Sequence, residues 1–315
     1  MMSTIPNRQM ICETLMELAK DDRDIMVLAS DSRGSALMGP FARAYPEQFV
    51  EVGIAEQNIV GIAAGLAHSG KKPFVTSPAC FLSMRSIEQI KVDAAYSQTN
   101  VKLVGISGGI SYGALGMSHH SLQDIAVMRA IPGIAVILPA DRHETKRMTE
   151  ALVRHEGPVY IRVGRNPVED VYDEADDGEF VIGKAVTMRE GGDLAIIAAG
   201  ETVRVALDTE ALLREMGVSC RVLNMHTIKP LDAEAVLRAA RETGRIITVE
   251  EHSVHGGLGA AVAETVIQHH PVPMRIFGIP DEPAIAGKTA EVFRHYGISA
   301  ETIADAALRL IGRKR

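Results

Sequence analysis

The chain has 315 residues, of which 46% are hydrophobic and 23% charged, a globular composition rather than a disordered or low-complexity one. Its net charge of −7 and pI near 5.9 argue against nucleic acid or an anionic membrane as the main partner, since both call for a basic face. Cys12, Cys80 and Cys220 are odd in number and form no CxxC, so neither a disulfide framework nor a zinc knuckle is indicated and a reducing, cytoplasmic setting is expected.

The first residues show no leader pattern, and no apolar run approaches the roughly 20 residues of a membrane span. Ile11, Leu15, Leu18 and Ala19 recur at helical spacing and predict a helix over 9–20, followed by a buried strand over 25–29. The string Asp-Ser-Arg-Gly-Ser at 31–35 then stands at the ligand-facing edge of an open α/β sheet, although alone it reads as a turn. Residues 49–52 form a short β-prone run that turns at Gly53 and enters a small-residue helix from about Glu56. Glu56 thus falls at a strand-to-helix junction, where an acid need do no more than complement the helix dipole.

A strand over 73–76 leads through Phe81, an ordinary core aromatic by pattern, to a helix over 84–95. The strand 101–106 runs into Ser-Gly-Gly-Ile-Ser-Tyr-Gly at 107–113, a loop that lets backbone approach a ligand but lacks the Gly-Lys-Ser/Thr of a Walker loop. His119 and His120 precede a helix over 122–130; adjacent histidines seldom share one ion, and no metal site is expected on this chain. A strand at 136–138, a helix over 144–153 and a strand over 158–163 close the first unit at Arg165. An arginine at a strand end can grip phosphate through its fork or make a surface ion pair.

Residues 168–179 are acidic and aperiodic, as a linker would be. Strands at 194–200, 219–223 and 245–249 alternate with helices at 203–216 and 233–243, which implies parallel pairing with right-handed crossovers. The expected fold class is α/β, with two domains (1–167 and 185–315, linker 168–184), each a mostly parallel sheet flanked by helices. Gly-Gly-Leu-Gly at 256–259 has Val262 where a dinucleotide fingerprint needs its third glycine, so NAD is not expected.

Four collinear blocks carry a resemblance: Gly-Ile-Ala-Glu-Gln-Asn at 53–58, Phe-Leu-Ser-Met-Arg-Ser-Ile-Glu-Gln-Ile at 81–90, the Ser-His-His block at 118–133, and Pro-Val-Tyr-Ile-Arg-Val-Gly-Arg at 158–165. Together they resemble the pyrimidine-binding domain of transketolases, and the remainder is similar to the C-terminal domain of that family. The resemblance implies that Glu56 and His119 are catalytic and that Asp31, Glu56, Phe81, Arg85 and Ile87 line thiamine diphosphate, with Phe81 stacked on the aminopyrimidine. It places Arg8, Ser35, Ser107, Leu115, His119, Arg129 and Arg165 at the substrate, with Arg162 and Arg129 as the weaker phosphate candidates. Ser107 stands where a phosphate-binding histidine is common, Ile87 and Met84 where aromatics are common, and Leu115 where an aspartate would hydrogen-bond a donor hydroxyl.

No Gly-Asp-Gly…Asn motif is present; Gly-Gly-Asp at 191–193 continues with Leu194. The resemblance therefore implies a split enzyme. Magnesium (or calcium or manganese) and the diphosphate would be held mainly by an N-terminal transketolase subunit, in a heterotetramer that also involves self-association. Because cofactors of this kind carry the hard chemistry, the chain supplies orientation and proton transfer. The implied reaction moves a two-carbon ketol unit from a ketose, phosphorylated or sulfonated and non-standard near its carbonyl, to an aldose. The alternatives are a 1-deoxyxylulose-5-phosphate-synthase-like enzyme, a 2-oxoacid dehydrogenase β-subunit, or a non-catalytic scaffold.

Overall fold

The computed structural model describes residues 5–176 and 178–312; the expected domain ends at 1 and 315, and Asp177 of the acidic stretch, lie outside them. Twelve strands are formed among the described residues: β1 (Ile25–Ala29), β2 (Phe49–Glu51), β3 (Lys72–Pro78), β4 (Lys102–Ile106), β5 (Ala135–Ile137), β6 (Val159–Arg162), β7 (Val186–Arg189), β8 (Leu194–Ala198), β9 (Cys220–Asn224), β10 (Thr227–Lys229), β11 (Ile246–Ser253) and β12 (Met274–Ile279). Every residue of β1, β4, β6 and β8 is buried, because a parallel sheet is covered on both faces; β1 and β8 are wholly apolar, whereas β4 and β6 carry the buried charged residues Lys102 and Arg162 at one end. The first sheet has the order β10-β5-β6-β4-β3-β1-β2 and the second β12-β11-β8-β9-β7.

Two strands depart from the parallel pairing expected from the sequence, and β12, which the sequence reading did not name, adds in parallel to β11. β7 pairs antiparallel with β9 as a largely exposed edge, and β10, though it follows the second sheet's β9, pairs antiparallel with β5 and completes the first sheet. The helix expected from 84 begins at Ala79, directly after Pro78 ends β3, and runs to Arg85; past Ser86 it resumes at Ile87–Gln89 and widens into a π-helical stretch, Ile90–Tyr96. Phe81 consequently sits on a helix rather than in a loop before one.

The core continues from one sheet to the other: Leu28, Val136 and Leu138 share a buried cluster with Ile197, Leu223 and Val236. The described residues of 168–184 carry no helix or strand, yet they are tied down. Buried Asp141 accepts the backbone N–H groups of Val171 and Tyr172 at 2.8 and 2.9 Å. Glu144 beside it accepts Tyr172 Oη at 3.2 Å and, across the domain boundary, Asn224 Nδ2 at 2.8 Å. Burial outweighs these hydrogen bonds and pushes the Glu144 carboxyl up to about 7.

Candidate active site

All six strands β1 to β6 point the same way, so their carboxyl ends share one edge of the sheet, the edge where open α/β folds form ligand crevices. Asp31 follows β1, Glu56 follows β2, Phe81 and Arg85 follow β3, Ser107 follows β4 and Arg165 follows β6. Left-handed backbone at Asp31 (φ 52°), Gly53 (φ 70°) and Ser107 (φ 55°) turns three of these loops sharply at the strand ends. Asp31 is exposed, and its N–H donates to Glu51 Oε1 at 2.7 Å.

Glu56 opens the helix Glu56–His68 with its side chain only 6% exposed. Its Oε1 accepts Arg85 Nη1 at 3.0 Å, and its carbonyl accepts Ser86 Oγ at 2.6 Å. A chain of contacts leads away from this carboxylate. The Arg85 guanidinium lies 4.0 Å over the Phe81 ring, Phe81 meets His119 edge-on at 5.3 Å, His119 meets Tyr112 edge-on at 5.3 Å, and the Arg165 guanidinium lies 5.0 Å over Tyr112. Sequence reasoning misses Tyr112, whose sole signal is an aromatic inside the Gly-rich loop between β4 and His119. Ser118 Oγ contacts His119 Nδ1 at 3.0 Å.

At the far end Arg8, Ser35, Ser107 and Arg165 converge. Arg8 Nε donates to the Arg165 carbonyl at 2.9 Å and its Nη1 to the Ser35 carbonyl, while Arg165 Nη1 reaches Ser107 Oγ at 3.5 Å. Burial and then the Arg165 charge pull Arg8 below the usual guanidinium range, so two cations are held together in a field that favours an anion. Arg129 does not join them: its guanidinium donates to the Gly256 and Gly257 carbonyls at 2.6 and 3.2 Å and pairs with Glu264 at 2.8 Å, fastening the second domain. Arg162 is likewise engaged, fully buried against Glu251 at 3.1 Å. Leu115, 53% exposed, rides a tight segment whose Gly113 (φ 58°) and Gly116 (φ 69°) adopt the left-handed backbone that favours glycine.

Two openings flank this chain of contacts. Ile54, Ala55, Glu56, Asn58, Met84 and Arg85 border a cavity of about 590 Å³, next to exposed Ile87. A groove of about 790 Å³ between the domains is bordered by Tyr112, Arg165, Glu201, Glu251 and Lys288. The first offers one buried carboxylate, Glu56, with Ile54 and Met84 as its apolar neighbours. Among the described residues no three His, Cys, Asp or Glu side chains are grouped to hold a metal ion.

A buried acid beside a half-open cavity, on the ligand edge of a two-sheet α/β fold, fits the class of thiamine-diphosphate enzymes. Within that class the chain belongs to the transketolase family. Residues 3–169 match the transketolase pyrimidine-binding domain and residues 183–303 the transketolase C-terminal domain. It is 57% identical over 304 residues to an apulose-4-phosphate transketolase subunit of Phocaeicola vulgatus, covering 96% of this chain and 97% of that one. It is 40% identical over 307 residues to a 6-deoxy-6-sulfo-D-fructose transketolase subunit of Clostridium sp., with 98% and 95% covered. The 1-deoxy-D-xylulose-5-phosphate synthase of Heliobacterium modesticaldum is 36% identical over 308 residues, but these are 98% of this chain and only 47% of that enzyme. Among solved structures, a split-gene transketolase described as an inactive beta4 tetramer superposes with a TM-score of 0.90 at 36% identity, over 99% of this chain and 100% of that one.

Proposed function

We propose that this transketolase subunit activates thiamine diphosphate and binds the donor in a complex with a partner that carries the diphosphate-binding domain, and that its donor is an anionic ketose of non-standard structure. The carrying observation is the unbroken run Glu56, Arg85, Phe81, His119, Tyr112, Arg165, which ties a cofactor-facing acid to a cluster of cations. The bound cofactor supplies the nucleophilic carbon. Glu56 would hold the hydrogen at the pyrimidine nitrogen, and Phe81 would pack against the ring. His119 faces the reacting end of the sugar and exchanges protons with its oxygens. Arg8, Ser35 and Arg165 hold the phosphate or sulfonate at the other end, where a guanidinium fork matches the anion's geometry.

Leu115 supports the non-standard donor. It stands where the resemblance expects an aspartate and offers no hydrogen-bond acceptor to a sugar hydroxyl. Two relatives of this chain's own length are named for apulose 4-phosphate and for 6-deoxy-6-sulfo-D-fructose, which agrees with that reading and favours it over the deoxyxylulose-phosphate synthase alternative. Exposed Ile54 and Met84, which border the cavity with Glu56, and exposed Ile87 just past Arg85 are where the partner subunit would close it.

Reconstitution tests the proposal. Mixed with the subunit bearing the diphosphate motif, the chain should give a heterotetramer with higher kcat/KM on apulose 4-phosphate or 6-deoxy-6-sulfofructose than on xylulose 5-phosphate. Alone it should be inactive and bind cofactor weakly. Tight magnesium-dependent cofactor binding by the isolated chain, seen by calorimetry, would overturn the split arrangement, and an equal preference for xylulose 5-phosphate would overturn the donor assignment.

A further inference from the structure

Glu201 belongs to the second domain, far from the cofactor cavity in sequence and with no part in the chemistry proposed for the site. It sits in the turn Gly200–Thr202 at the carboxyl end of β8. Thr202 Oγ1 locks that turn by hydrogen bonds to the Ala199 and Val249 carbonyls at 2.8 and 2.9 Å. From there the carboxyl reaches into the first domain, where Oε1 accepts the backbone N–H of Gly164 at 3.1 Å and Asn7 Nδ2 at 3.2 Å. Gly164 directly precedes Arg165, and Asn7 directly precedes Arg8. Arg8 Nε then donates to the Arg165 carbonyl, so the hydrogen bonds form a closed ring through Glu201, Gly164, Arg165, Arg8 and Asn7. Asn7 is fully buried, and a Cβ at position 164 would collide with the Glu201 carboxylate, so both contacts are built for this acid.

We propose that Glu201 is a positioning residue through which the second domain sets the geometry of the Arg8 and Arg165 anion clamp. The inference rests on the reading of those two arginines as the anion site. A guanidinium fork is useful only when its stem is held, because lost alignment forfeits the bidentate geometry that makes such contacts strong. One carboxyl fixes the backbone before one arginine and the side chain before the other, so the pair is set as a unit. Burial first, and Glu251 next, push the Glu201 carboxyl up to about 8. Near neutral pH it acts mainly as an uncharged acceptor and does not repel the anion that its neighbours bind.

The test uses the complex reconstituted with the diphosphate-binding subunit, saturated with thiamine diphosphate. Hydroxypyruvate serves as an unphosphorylated donor and inorganic phosphate as the probe of the clamp. Glu201→Ala should raise the inhibition constant of phosphate roughly tenfold, the scale of one charge-assisted hydrogen bond, with kcat and KM for hydroxypyruvate within about twofold. Glu201→Gln keeps the accepting oxygen and should restore the wild-type constant. Gly164→Ala, which leaves Glu201 in place but displaces its carboxyl, should reproduce the Glu201→Ala value, and the double variant should be no worse than the poorer single one. A normal phosphate constant in Glu201→Ala or Gly164→Ala beside a raised one in Arg165→Gln would overturn the positioning role alone. A Glu201→Gln variant as weak as Glu201→Ala would overturn it as well. Phosphate that does not inhibit the wild type, or inhibits Arg165→Gln equally, would overturn the anion-site reading beneath it.

Discussion

Replacing Glu56 by glutamine separates catalytic from structural loss, because the surroundings limit what the fold can lose. The carboxylate's one ionic partner, Arg85, is 47% exposed, and an ion pair open to water on one side is worth about 0.5–1 kcal/mol. Its place in the first turn of Glu56–His68 adds a dipole term of about 0.3–1 kcal/mol. The stability cost is then of order 1–2 kcal/mol, a shift in melting temperature of about 5 °C or less. Arg85 would remain solvated, so no uncompensated buried charge is created. Turnover should fall much further, since a positioned acid–base group contributes about 10²–10⁴-fold, or ~3–5 kcal/mol in barrier height. Thermal melting by circular dichroism and kcat of the reconstituted complex, measured on the same preparation, make the comparison. A Glu56→Gln enzyme that melts normally and keeps more than about a tenth of wild-type kcat would refute the assignment of Glu56.

Leu115→Asp restores an acceptor between Gly113 and Gly116 and should raise kcat/KM on xylulose 5-phosphate about tenfold; an unchanged value would show that this position does not select the donor. Glu144→Gln should flatten the pH dependence of stability. Folding raises the Glu144 carboxyl to about 7, above its unfolded value near ~4.3, so the folded chain holds the proton longer. The stability this contributes is fully present below the unfolded value and is lost as pH rises through about 7, on the order of 3 kcal/mol in all. Equal slopes of melting temperature against pH for wild type and variant, between about pH 5 and 8, would contradict the burial argument.

What the sequence disclosed follows from what local pattern can encode. β1 and β8 were legible because strands covered on both faces favour unbroken apolar runs, and the helix Ala233–Thr243 because its apolar stripe repeats at helical spacing. β10 was not: three residues, Thr227, Ile228 and Lys229, are too few for any period, and their partner lies about ninety residues back in β5. At the site, Glu56, Phe81 and His119 stood in family wording that spans consecutive residues. Tyr112 had no such wording and shows its place only through ring contacts with His119 and Arg165. Arg129 illustrates the converse, since its wording placed it at the substrate while its side chain turns to Glu264, 135 positions onward. Glu201 reaches back to Asn7 across 194 positions, a pairing that no window of sequence can display.

The detour of β10 constrains how this polypeptide can be cut. Without Thr227–Lys229, β5 would end the first sheet as a bare edge of unpaired N–H and C=O groups flanked by Val136 and Ile137, the kind of edge that recruits other chains. A gene break within the acidic stretch at 168–184, inviting by composition, would separate β5 from the strand that caps it and leave both fragments prone to aggregate. The two lobes are thus one folding unit, and hinge motion between them is limited by a backbone ladder as well as by side-chain packing.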